Sequence, residues 1–146
     1  MLLSLISRSM NRNSKSLYNI VLPAFGSVIR KYQLIPGEYN ESKVCFEGRE
    51  VSLVVLESEP LRQPGIIDVA FCFEDDPRFY DIGYVARAIG CDEIPTLDVE
   101  ELVRLDYCDK INVQIDHYVN LIELCCAPIF MGDRSWLSKY YQLAYI

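Results

Sequence analysis

The chain predicts an α+β fold: an N-terminal helix, a three- or four-stranded antiparallel meander, then three or four helices packed on one face of the sheet. Three observations carry this. Apolar residues repeat at helical spacing before residue 32 and again after residue 81. Between those regions lie short runs of apolar and β-branched residues. The links between the runs are brief or rich in Pro and Gly, which suits hairpins rather than crossover helices.

From Ser14 to Tyr32 the apolar stripe runs Leu17, Ile20, Val21, Phe25, Val28, Ile29 and Tyr32. Pro23 lacks a backbone donor, so a kink or a fresh helix start is expected there. Arg30 and Lys31 suit the carbonyl end of the helix. Tyr32 to Ile35 offers an edge strand before Pro36-Gly37. Three clearer strands follow: Lys43 to Phe46, Val51 to Leu56, and Ile66 to Phe73, with Gly48 and the segment Glu57 to Gly65 as links. Glu74-Asp75-Asp76-Pro77 then reads as a polar turn, because the residue before proline avoids the helical region, and Arg78-Phe79-Tyr80 returns briefly. Asp81 precedes Ile82, Val85, Ala86 and Ile89, one helical face, and is placed to cap it; Gly90 suits the left-handed C′ position. After the CDEIPT linker, Asp98 and Glu101 have capping-box spacing. A long helical region follows, with a break expected near the DKIN step at 109–112. Pro128 and Gly132-Asp133 interrupt again, and Ser135 to Tyr145 reads as a final helix.

At 146 residues the chain is long enough for one domain with its own core. That domain is read as residues 14–146, behind an extension over residues 1–13 that has Met10 as a second candidate start. The net charge of −7 is uneven: residues 1–50 carry seven basic and four acidic groups, residues 51–146 seven and seventeen. Phosphate backbones repel such a body, so nucleic acid is an unsuitable ligand, whereas a protein with a basic surface suits it. No run approaches the roughly 18 apolar residues of a membrane span, and the N-terminus lacks the order of a secretory signal. A cytoplasmic protein is expected. The six cysteines, at 45, 72, 91, 108, 125 and 126, form no CxxC pair and read as reduced thiols; for Cys125-Cys126, two core thiols are favoured over a soft-metal site.

No constellation for catalysis stands out, so an enzyme is not expected, and no cofactor or metal is assigned. His117 is the sole histidine, with Asp116 beside it in sequence, so on a helix the two point about 100° apart. Neither GxSxG, GxGxxG nor GxxxxGK occurs. Glu74, Asp75 and Asp76 alternate in direction on an extended backbone and do not converge as cation ligands must. They read as a solvated turn beside a cap, and as an acidic patch that a basic partner would meet. Trp136, Tyr140 and Tyr141 join them as candidate partner-binding residues, since Trp and Tyr are favoured at binding hot spots, although core packing competes for the same side chains.

Phe79-Tyr80-Asp81-Ile82 and Leu97-Asp98-Val99-Glu100-Glu101-Leu102, in the element order of residues 15–125, resemble a group of small bacterial α+β proteins. Many of these are similar to immunity proteins encoded beside contact-dependent or polymorphic toxins. The basic N-terminal segment and the ending WLSKYYQLAYI exceed that pattern. The resemblance brings no catalytic set. It implies a cytoplasmic binding protein that neutralises a toxin domain with a basic surface. An adaptor for some other protein is the alternative, and an enzyme without a recognisable motif the next.

Overall fold

The computed structural model describes residues 16–91 and 96–145. The expected extension over residues 1–13, the choice of start, and the middle of the CDEIPT linker lie outside the described residues.

The first stripe folds as two helices, α1 (Leu17–Ala24) and α2 (Gly26–Lys31), joined at Phe25. Pro23 lies inside α1 and cannot donate a backbone bond, and the fresh start follows at Gly26, three residues later. The stripe is what becomes buried: Leu17, Val21, Phe25 and Val28 are all in the core.

Five strands follow, not three or four: β1 (Ile35–Asn40), β2 (Lys43–Glu47), β3 (Ser52–Leu56), β4 (Asp68–Phe73) and β5 (Asp76–Asp81). They form one antiparallel sheet in the order β1-β2-β3-β4-β5. The two edges are where the sequence reading falls short. β1 runs through Pro36-Gly37 instead of stopping before it. An edge strand accommodates proline because one side of its backbone needs no partner, and the register shifts between Pro36 and Tyr39. β5 begins at Asp76, so the turn shrinks to Glu74-Asp75 and Asp76-Pro77 belongs to the strand, with Asp76 opposite Phe73.

Alternate strand residues enter the core. Val44, Phe46, Leu53, Val55, Val69, Phe71, Phe73 and Tyr80 join Leu17, Val21, Val85, Ile111, Ile115 and Ile122 from the helices in one hydrophobic cluster. Each such side chain taken from water contributes about 1.5–3 kcal/mol before the entropy cost of ordering it. The opposite parity is mixed: Val54 and Ala70 are buried, Lys43, Cys45, Leu56 and Cys72 are half-buried, and Glu47 and Phe79 are exposed.

Among the described residues five helical segments, not three or four, follow the sheet: α3 (Ile82–Ile89), α4 (Val99–Leu102), α5 (Tyr107–Cys125), α6 (Ala127–Phe130) and α7 (Leu137–Ala144). Asp81 caps α3, its Oδ1 accepting from the amides of Gly83 (2.9 Å) and Tyr84 (3.4 Å). Gly90 ends α3 at φ 97°, where a Cβ would be strained. Asp98 caps α4 through the amides of Glu100 and Glu101. The long region breaks at 103–106 and not at the DKIN step. The reason is Asp106, whose carboxylate accepts from the Asp109 amide at 2.9 Å and starts α5. α5 packs against α1, and α3 against α7.

The link from β3 to β4 is held to α5 by two buried polar side chains. Glu57 accepts from the Gly65 amide (2.6 Å) and from Tyr107 Oη (3.1 Å). Gln114 accepts from the Ile67 amide (2.9 Å) and donates to the Gly65 carbonyl (2.6 Å). A buried carboxylate is tolerated only when satisfied in this way.

Candidate functional site

The tight β4–β5 turn sets the geometry of the acidic stretch. With Phe73 buried below it, Asp75 points outward and Asp76 back along β5, so the carboxylates separate. Asp75 meets Arg134, from the segment between α6 and α7, through two bonds of 2.8 and 3.1 Å. That guanidinium also lies 3.9 Å from the centre of the Phe73 ring, a stacked cation over an aromatic face. Asp76 accepts from Arg78 Nε (2.9 Å), Arg78 Nη2 (3.1 Å) and the Arg78 amide (3.1 Å), and from the Tyr80 hydroxyl. The corner is thus exposed as expected, but two of its three carboxylates are paired with arginine. Glu74 is exposed.

Both aspartates are held below the ordinary carboxylate range. For Asp75 the cause is chiefly its bond to Arg134; for Asp76, which lies well below, it is the Arg78 side chain, then Tyr80. Asp81 moves the other way, because burial raises its proton affinity more than its cap bonds lower it.

Behind the turn stands an aromatic cluster. Trp136 and Tyr140 are only 3% and 4% exposed, Tyr141 half-buried. The Tyr80 ring lies edge-on to Trp136 at 5.4 Å and to Tyr140 at 5.0 Å. Tyr80 Oη is 3.0 Å from Tyr141 Oη, and Tyr140 Oη accepts from the Asp81 amide at 3.0 Å. Trp136 Nε1 donates to the Asp133 carbonyl at 2.7 Å. Burial raises the Tyr80 hydroxyl, and the Asp76 carboxylate beside it adds to that. The six sequence candidates are therefore brought together: Asp76 reaches Tyr141 through Tyr80, and Asp75 reaches the segment that leads into Trp136. At the surface of this corner lie Glu74, the Asp75–Arg134 pair and the half-buried Tyr141, with Trp136 and Tyr140 buried behind them.

Beside the turn, the ends of β2 and β3 frame an open groove of ≈ 580 Å³, lined among others by Glu47, Arg49, Glu50, Glu74, Asp75 and Arg134. Among the described residues, no ion pair involves Glu47, Glu50 or Glu74. Sequence reasoning missed Arg134, Glu47 and Glu50 as members of this corner. Arg78 was legible in principle, two residues from Asp76 and on the same side of a strand, once β5 is recognised as one.

Among the described residues no three His, Cys, Asp or Glu side chains are arranged to hold a metal ion. His117, half-buried on α5, stacks edge-on against Tyr118 at 5.2 Å, and burial lowers its pKa. Among the described residues no helix is long and apolar enough to cross a membrane. The fold and its corner define an α+β protein with a charged groove at one end of the sheet. Compared with models of protein families, with curated proteins and with solved structures, the chain matches none.

Proposed function

We propose that this chain is a non-enzymatic binding protein of the immunity type, which blocks a toxin domain by covering a basic surface on it. The observation that carries the reading is the groove at the β4–β5 corner, where four carboxylates face two arginines, one of which is already engaged by Asp75. A surplus of exposed negative charge around a rigid aromatic cluster suits a partner with lysines or arginines at its binding face. Complementary charge of this kind raises the association rate and sets register. The reading takes the helices to cover one face of the sheet, so that the other face and the corner stay open to the partner. The resemblance of Phe79 to Ile82 and Leu97 to Leu102 to small bacterial immunity-like proteins points the same way, as does the acidic balance of residues 51–146.

The test is co-expression with a toxin domain, which this reading expects to find encoded beside this gene. Protection of the cells and a complex that survives gel filtration are expected. Growth arrest with no complex overturns the reading. In the complex, the combined change Glu47→Lys, Glu50→Lys and Glu74→Lys is expected to slow association strongly at low salt and much less at high salt, where screening shortens the reach of charge to about 8–10 Å.

A further inference from the structure

The carboxyl end of α5 gathers three thiols that the groove does not use. Cys125 closes α5 and Cys126 follows it, with their sulfurs 3.8 Å apart. Cys91 follows the left-handed Gly90 that ends α3, and its thiol lies within hydrogen-bonding reach of Cys125. Cys126 is fully buried in the core, whereas Cys91 and Cys125 are partly exposed. Cys125 therefore has both other sulfurs as neighbours and, unlike Cys126, a route to solvent. Cys45 and Cys72 differ: both sit on the sheet, where burial raises their pKa.

Cys125 has two sulfurs with which it could pair, and the geometry separates them. Joining Cys125 to Cys126 means bridging sequence neighbours whose Cβ vectors diverge at the end of a helix, which would unwind the last turn of α5. Cys91 and Cys125 come from different elements, and Cys91 begins a linker rather than ending a packed turn. We propose that Cys125 is an oxidisable thiol and that Cys91 closes a disulfide with it when the oxidant is a hydroperoxide, with buried Cys126 positioning the Cys125 sulfur.

In the first step the Cys125 thiolate attacks the outer oxygen of the hydroperoxide, the O–O bond breaks, and the leaving alkoxide or hydroxide takes a proton; Cys125 becomes a sulfenic acid. The Cys91 sulfur then attacks the Cys125 sulfur, the S–O bond breaks, and water leaves with the Cys91 proton. Two thiols lose two electrons in all, and the hydroperoxide is reduced to an alcohol or water. The reactive form is the thiolate. The hydrogen bond from Cys126, followed by that from Cys91, holds Cys125 down to about 7, against the burial that raises it. The carbonyl end of α5 opposes the thiolate, and Cys125 donates to the Leu121 carbonyl at 3.1 Å while it is protonated, so the sulfur neighbours act against both.

Graded hydrogen peroxide on the full, reduced chain, followed by alkylation and peptide mapping without reductant, tests this. The expected product is lighter by two hydrogens, contains a peptide pair joined Cys91 to Cys125, reverts with dithiothreitol, and melts several degrees higher than the reduced chain. Cys91→Ser is expected to stop at the sulfenic acid, trapped by dimedone on Cys125. Cys125→Ser is expected to leave Cys91 reduced at the same dose. A Cys125–Cys126 bridge, dimedone on Cys91 or Cys108 before Cys125, or equal reaction of all six thiols overturns the proposal. Because Cys91 and Cys125 are partly exposed, both serine variants are expected to fold, and a melting curve of each checks it.

Discussion

Along β5 the Arg78 amide donates to the Asp76 carboxylate at 3.1 Å, the Asp81 amide donates to Tyr140 Oη at 3.0 Å, and Pro77 has no amide to offer. Along β1, at the opposite edge, Ile35 and Tyr39 are 66% and 59% exposed, and among the described residues no bond from outside the sheet reaches the strand's amides. A free strand edge is a template for unwanted pairing, and proteins blunt it in several ways. Here the two edges use different ones. β5 consumes its donors on side chains, one of them delivered by α7, so its edge is fastened into the aromatic cluster. β1 relies on Pro36, on the irregular register between Pro36 and Tyr39, and on the charge of Glu38. Its main attachment outside the sheet is the stack of Tyr39 on Tyr18, with ring centres 3.9 Å apart. The lesson is that an edge tied to the core transmits any change to the fold, whereas a merely blunted edge absorbs it.

The sharpest way to break this comparison is to truncate one aromatic on each edge. Tyr80→Ala on β5 empties a core position that is 1% exposed, so a loss of about 3–5 kcal/mol, the range for large aromatic side chains, is expected. Tyr39→Ala on β1 is expected to cost only about 0.5–1.5 kcal/mol, the worth of one ring pair. Equal denaturant midpoints for the two variants would show that the edges are alike.

The cap at the end of β5 comes next in size. Asp81→Ala and Asp98→Ala are each expected to cost about 0.5–2 kcal/mol. Asp81→Asn separates two effects, since asparagine caps as well as aspartate but carries no charge to desolvate. Burial raises the Asp81 pKa, so the ionised form is disfavoured in the fold and the residue's contribution fades as pH rises through that raised value. The Asp81→Asn variant is therefore expected to gain on the natural chain at neutral pH and to lose that advantage below about pH 4, the unperturbed aspartate value. Stability measured at both pH values checks the sign.

Asp75 and Asp76 have the opposite linkage. Their folded pKa values are lowered, so what they contribute is present above the ordinary aspartate range and is lost as pH falls through the folded values. In Asp76→Asn the acid limb of the stability curve is expected to be shallower than in the natural chain. The smallest effect belongs to the outermost charges. Arg134→Ala removes an exposed pair and a cation over Phe73, and only a small drop in midpoint is expected, shrinking further with salt. A large, salt-independent drop would mean that the corner is held mainly by that arginine, and the contrast with Tyr80 would fail.

Much of the fold was legible because its signals are local. Asp81, Asp98 and Gly90 work through bonds to residues at most four positions away, and the helical stripe of Leu17, Val21, Phe25 and Val28 follows from chain periodicity alone. The edges were legible only in part. Pro36-Gly37 and Asp76-Pro77 look like turns by every local rule, yet both lie in strands, since a neighbouring strand rewards extension there and an edge forgives the missing amide. The candidate site was legible as a list of residues and not as an arrangement.

Residue spacing by itself determined the class, the caps, the core stripe and the acidic character of the body. Only the tertiary structure decided what the acids face. Arg134 and Asp75 lie 59 residues apart, as do Asp81 and Tyr140, and 61 residues separate Tyr80 from Tyr141. The same holds for Gln114 and Ile67, 47 residues apart. The reason is physical. A cap bond forms between atoms that the local backbone already holds together, so the residue type at a given spacing specifies it. A pair across the fold exists only after the core has brought two distant segments into contact. Its partner is then selected by packing, which no short stretch of sequence encodes.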